Sequence, residues 1–258
     1  MPSLSSLLSS NPNSFTAFLQ GITSKLLPAK LADGTQQSPR MNQYGEFINA
    51  PLSENNQVAL EGGYFMIGNP TLGTGLATGA TNTTASDLTN FILLMNMDMP
   101  GGKDVILDYL RLTCTGAGTA AAALHFQTSI DNSVNRYTSG DALLASPKNC
   151  NMNSSIGSIV KAVAGPIVTA AATAQKRDLG RGNVRVVIPI IGDTYLWTFG
   201  RNNAGGGGLI TSGTTQCSLT FPHVPVVIGP QQMFAFNLWG ASMSAGPIFS
   251  FEMGWAER

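Results

Sequence analysis

His125 and His223 are the only imidazoles in 258 residues, and their isolation restricts the chemistry open to this chain. A metal enzyme on a β-scaffold needs several histidines and a carboxylate converging on one point, which two distant histidines cannot supply. His125 alternates with Leu124 and Phe126, so it falls on the face opposite theirs, towards solvent or an interface. His223, between Pro222 and Val224, reads as a loop residue. "GASMSAG" (240–246) lacks the G-x-S-x-G spacing of a nucleophile elbow and lies between two strand patterns rather than strand and helix. "GTGLATG" misses the dinucleotide fingerprint by one residue, and "GGK" (101–103) has no upstream P-loop glycine. Both read as turns.

The fourteen carboxylates are scattered. Asp104 and Asp108 share a strand face but stand about 13 Å apart at 3.3 Å per residue, too far for a paired acid and base. Asp98, Asp131, Asp141 and Asp193 fall at strand ends or turns, where Asp supports the backbone. Cys114, Cys150 and Cys217 are odd in number and widely spaced, which argues against a disulfide framework or a zinc site. Cys114 and Cys217 sit in alternating runs and read as small buried apolar residues. The expectation is a protein that is not an enzyme, needs no cofactor or metal, and folds in a reducing cytoplasm.

The elements that would position any site are dominated by period-2 alternation from residue 62 onward. "NFILLMNMDM" sets Phe91, Leu93, Met95, Met97 and Met99 on one side. "VILDYLRLTCT" aligns Ile106, Leu110, Leu112 and Cys114; "ALHFQTSI" aligns Leu124, Phe126 and Ile130. Val184, Val186, Ile188 and Ile190 follow, then Tyr195, Trp197 and Phe199, then Cys217, Leu219 and Phe221. The last two runs place Phe234, Phe236 and Leu238, and then Phe249, Phe251, Met253 and Trp255, on one face each. A strand is expected over 157–164, while "GPIVTAAATAQKRDLG" carries helix signals that leave 166–178 open between helix and strand.

Long Gly/Ser/Asn connections between these strands suit a two-sheet sandwich whose strands swap sheets. The fold expected is all-β: a single jelly roll of about eight strands over 61–258, behind an N-terminal arm over 1–60. In the arm, Phe15, Phe18, Leu19, Ile22 and Leu26 recur at helical spacing after Asn13, an available N-cap. That amphipathic helix is expected to contact neighbouring subunits through Phe15, Phe18, Leu19 and Ile22. The N-terminus lacks a signal peptide's basic region and long apolar core, and no apolar run reaches the roughly 18 residues of a membrane span.

Charge is the anomaly. Charged residues make up 11% of the chain, against about 25% in ordinary soluble domains. From Asn202 to Phe251 there is none, and the first 24 residues have none either. Without a basic arm, direct stoichiometric nucleic-acid binding is not expected. Few charges weaken long-range repulsion and favour association.

Region 88–199, with "RVVIPIIGDTYLWTFG" and the terminal "VVIGPQQMFAFNLWGASMSAGPIFSFEMGWAER", resembles the single jelly-roll capsid proteins of icosahedral viruses, bacterial ones in particular. The resemblance implies a structural coat subunit, located in the virion, that self-assembles into a symmetric shell alone or with other capsid proteins. It implies a C-terminal strand inside the sandwich and loops that meet around symmetry axes. The competing reading is a lectin-like or fibre-type binding module that stacks sugars on an exposed aromatic. Trp197 and Trp255 fall on core faces; Trp239, opposite Phe234, Phe236 and Leu238, is the exposed candidate for that role or for a subunit contact.

Overall fold

The protein is represented by a computed structural model that describes residues 54–69, 75–78, 86, 89–119, 123–140, 143–170, 176–185, 188–200, 216–240 and 245–258. Alternation drives the bulk of these residues into two sheets, and the molecule is an all-β sandwich with one helix among the described residues. Phe15, Phe18, Leu19 and Ile22 lie outside them.

The helix, α1 (Glu54–Glu61), opens the described chain, seven residues ahead of the boundary read from the sequence. It stops in a Schellman turn: Gly62 takes φ +79°, its N–H bonds Ala59 O at 3.1 Å, and Gly63 N–H bonds Val58 O at 2.9 Å. Val58 is the helix's buried anchor.

Fifteen strands follow. They are β1 (Tyr64–Gly68), β2 (Leu76–Ala77), β3 (Thr89–Asn96), β4 (Val105–Gly116) and β5 (Leu124–Asp131). Next come β6 (Tyr137–Ser139), β7 (Leu143–Ala145), β8 (Lys148–Asn149), β9 (Val160–Thr169) and β10 (Arg177–Arg185). The last are β11 (Thr194–Phe199), β12 (Ser218–His223), β13 (Val227–Ile228), β14 (Met233–Gly240) and β15 (Ile248–Glu257). The sequence suggested about eight, because the two- and three-residue strands are too short to show a period.

One sheet runs β12-β11-β4-β15-β1-β8, with β13 on β4 and β2 on β15. The other runs β10-β5-β14-β3-β9-β6, with β7 on β9. Between them lies the main core, led by Trp197, Trp255, Tyr195, Phe234, Phe236 and Phe249, all fully buried. Each such side chain contributes roughly 1.5–3 kcal/mol relative to exposure.

Two local expectations are corrected. In β3 the main core takes Phe91, Ile92 and Leu94, while Leu93 and Met95 point outward into a second cluster with Val163, Ile167, Met233 and Val134. Val134 and Tyr137 pack on that outer surface, so both faces of β3 are apolar and a one-sided reading picks the wrong side. Met97 and Met99 lie beyond the strand and are exposed. In β4, Asp108 is a bulge: Tyr109 pairs with Gly254 and Leu107 with Trp255. The inward set is therefore Val105 and Leu107, then Leu110, Leu112 and Cys114, with Ile106 only partly covered.

The described residues of 166–178, a stretch left open between helix and strand, carry strand and no helix. Strand β9 continues through Pro166 to Thr169, and β10 begins at Arg177; residues 171–175 lie outside the described set. Pro166 is tolerated because Gly165, at φ +119°, opens a register shift opposite Phe91, where no ladder bond is demanded. Strand β12 adds to β11 in parallel, Tyr195 beside Leu219 and Trp197 beside Phe221. Buried Asp193 holds this arrangement, accepting from Cys217 N at 2.8 Å, Ile190 N at 2.8 Å and Tyr195 Oη at 3.0 Å.

Candidate functional site

The outer face of β5, flanked by β10 and β14, carries two polar rows in register. The first row is Asn183, His125 and Trp239; the second is Arg181, Gln127 and Asn237. Alternation builds the array. Phe126, Val184 and Leu238 turn into the core, which forces their neighbours outward.

In the first row, His125 Nδ1 lies 2.6 Å from Asn183 Oδ1. That nitrogen carries the proton, because an amide oxygen only accepts. The His125 ring lies 5.6 Å from the Trp239 ring at 31°. In the second row, Arg181 Nε donates to Gln127 Oε1 at 2.9 Å, and Gln127 Nε2 donates to Asp178 Oδ1 at 2.7 Å. Asp178 also receives Lys176 Nζ at 2.9 Å and Arg181 Nη2 at 3.3 Å. Burial raises the Asp178 pKa, but the Lys176 bond and charge, the Gln127 bond and the Arg181 charge outweigh it and hold the carboxyl below its ordinary value.

Gln127 is thus bonded through both amide atoms, and its neighbour Asn237 is left out. Asn237 is 3% exposed with neither amide atom bonded, and Trp239 Nε1 is buried without a partner. Among the described residues, these supply three of the six buried side-chain polar atoms that lack one. Such groups cost free energy and call for an explanation.

Trp239 was expected to be exposed; it is half-buried, because His125 covers one side of it. His125 is on the outer face as expected. Arg181, Gln127, Asn183 and Asn237 were not singled out from the sequence. The one available signal was the crowding of cations in "KRDLGRGNVR", and only the pairing register sets Trp239 beside it.

A second polar group occupies the outer face of the other sheet. Tyr64 Oη donates to Asp108 Oδ2 at 2.7 Å, joined by Asn55 Nδ2, and Tyr109 Oη donates to Glu252 Oε1 at 2.6 Å beside Arg111. Burial first, and then the bonded carboxylates, push both phenols well above the ordinary tyrosine pKa. They act as fixed donors rather than nucleophiles. Burial likewise raises the Cys150 thiol, the reverse of activation. A cleft of about 250 Å³ lies nearby, bordered by Asn55, Val58, Asp108, Phe199 and Arg258.

His223 serves the sandwich edge, with Nε2 2.7 Å from Thr128 Oγ1 and its ring 5.2 Å from Phe199. Among the described residues no three His, Cys, Asp or Glu side chains gather as a metal site, and no helix is long and apolar enough to cross a membrane. Comparison with protein-family models, curated proteins and solved structures returns no match to this chain.

Proposed function

We propose that the sandwich is a single jelly roll and that the chain is a structural subunit of an icosahedral virus shell, as its sequence resemblance implies. The strand order supports the first half. Strands β1-β15-β4-β11 lie in one sheet and β3-β14-β5-β10 in the other, so that among these eight strands every step along the chain except β5 to β10 changes sheet. The last two strands each sit inside their sheet, β14 between β3 and β5, and β15 between β1 and β4. Two interlocked Greek keys have this order.

A fold admits many functions, so the second half must rest on the surface. The observation that carries it is apolar exposure on a charge-poor molecule. Leu60, Met97, Met152 and Ile156 are exposed on α1, just past β3 and on the 150–159 loop, segments that hydrogen bonds tie together, and Met152 is 99% exposed. Ile191 and Val224 are exposed in other turns. Single exposed apolar residues are ordinary, but clusters mark contact surfaces. Uncharged polar loops hydrogen-bond across such contacts without the desolvation cost of buried ions. Many modest contacts become cooperative in a closed lattice.

Light scattering after size exclusion, with negative-stain imaging, tests this. Closed particles of uniform diameter are the expected product. A stable monomer at high concentration that never joins a particle would overturn it.

A further inference from the structure

The outer face of β1, β15 and β4 carries a groove of about 300 Å³, at the lower end of the range for ligand-binding clefts. Alternation makes it. Met66 and Gly68 on β1, Ser250 and Glu252 on β15, and Arg111 and Thr113 on β4 alternate with core residues and so turn outward. Gly68 pairs with Glu252, and Ser250 pairs with Thr113. A glycine and a serine thus leave the floor low between larger neighbours. Asn69 borders the groove beyond β1, its Oδ1 accepting from Phe251 N at 2.8 Å.

The charged groups are held in place. Glu252 receives Tyr109 Oη on Oε1 at 2.6 Å and Arg111 Nη2 on Oε2. Both side chains still reach solvent, Arg111 at 50% and Glu252 at 28% exposure. Thr113 and Ser250 hydroxyls have no partner among the described residues. A cross-strand ion pair is ordinary on a sheet face. It does not account for a depression beside it edged by two unengaged hydroxyls.

The chemistry selects a class of ligand. A guanidinium presents five N–H donors, and Arg111 commits one nitrogen to Glu252, whose oxygens keep lone pairs. A donor and an acceptor side by side match vicinal hydroxyls, each of which gives and takes a hydrogen bond. A phosphate or sulfate would meet the Glu252 charge along with Arg111, and an apolar ligand would strand the hydroxyls. Strand β15 lies between β1 and β4, so an extended peptide finds no open edge there. Met66 supplies an apolar wall for ring C–H groups.

We propose that this groove binds a neutral saccharide, with Arg111 and Glu252 holding adjacent hydroxyls of one pyranose ring, Thr113 and Ser250 bonding a further one, and Met66 against its carbon face. Trp239, the sugar-stacking candidate of the sequence, belongs to the opposite sheet and takes no part. The inference holds whether or not the chain forms a shell.

Saturation-transfer NMR of the full-length protein with methyl α-mannoside, methyl β-glucoside, methyl β-galactoside and N-acetylglucosamine tests it. At least one should bind with a Kd of about 1 mM, the strength open to a single sugar ring. Arg111→Ala should weaken that binding about tenfold or more, and Thr113→Val about threefold to tenfold. Ser250→Leu, which fills the floor, should abolish it. Trp239→Ala should change nothing. Circular dichroism confirms that each variant is folded; if Arg111→Ala is not, Thr113→Val and Ser250→Leu, which keep the ion pair, decide. Absence of saturation transfer to every one of these sugars at about 20 mM would overturn the proposal. So would an affinity indifferent to Thr113→Val and Ser250→Leu, loss of binding on Trp239→Ala, or displacement of the sugar by inorganic phosphate.

Discussion

Arg136 Nη1 donates to Asp131 Oδ2 at 2.8 Å, with the two side chains 6% and 3% exposed. The same guanidinium reaches Ala170 O through Nε at 3.2 Å and Nη2 at 2.9 Å. This pair locks the segment that crosses the outer surface of β3 to the ends of β5 and β9. Removing one partner strands a buried charge, so Arg136→Leu or Asp131→Asn should each cost about 3–5 kcal/mol in urea unfolding. The double variant Asp131→Leu with Arg136→Leu should cost less than the sum of its two single replacements. Single losses under about 1 kcal/mol would mean that the pair is solvated.

His223 makes the fold acid-sensitive. Burial is the main cause of its lowered pKa, partly opposed by its bond to the Val224 carbonyl. The unfolded chain therefore takes the proton first. Its contribution to stability is complete above the unfolded value of about 6.5 and is lost as pH falls through the folded value. Because the ring is only partly covered, the loss should be about 1 kcal/mol at most. Unfolding midpoints at pH 7.5 and 5.5 should separate wild type from His223→Gln, with the variant losing less on acidification. Equal losses would remove His223 as the sensor.

Gly254 is required by space. A Cβ there would stand 2.6 Å from Tyr109 Cε1 and 2.7 Å from Tyr64 Oη. Both phenols would have to swing away, breaking their bonds to Glu252 and Asp108. Gly254→Ala should lower stability by about 1–3 kcal/mol, and by clearly less in a Tyr109→Ala background. Thermal unfolding of the four proteins reads this directly; an additive result would place the clash elsewhere.

The sandwich is legible in the sequence because burial on one face writes a period of two, which is plain in 194–199, 233–240 and 248–257. The period misleads where a strand is covered twice, as at Leu93 and Met95, or where Asp108 resets the phase. Pairing partners leave no local mark. Nothing in "TYLWTF" or "QCSLTF" says that these strands run parallel, and Asp193 reads as a turn residue until its bond to Cys217 is seen. For the same reason Trp239 could be nominated, but not its place beside His125 and across β5 from Asn183, which depends on two ladders at once.

Strand β15 bridges β1 and β4, pairing Tyr64 with Ala256 and Val105 with Glu257. A nascent chain emerging from the ribosome cannot bring those two neighbours into one sheet until residues 248–257 have been made. Synthesis therefore runs nearly to residue 257 before the domain can close, and a translation product truncated before residue 248 would leave β1 and β4 without the strand that joins them.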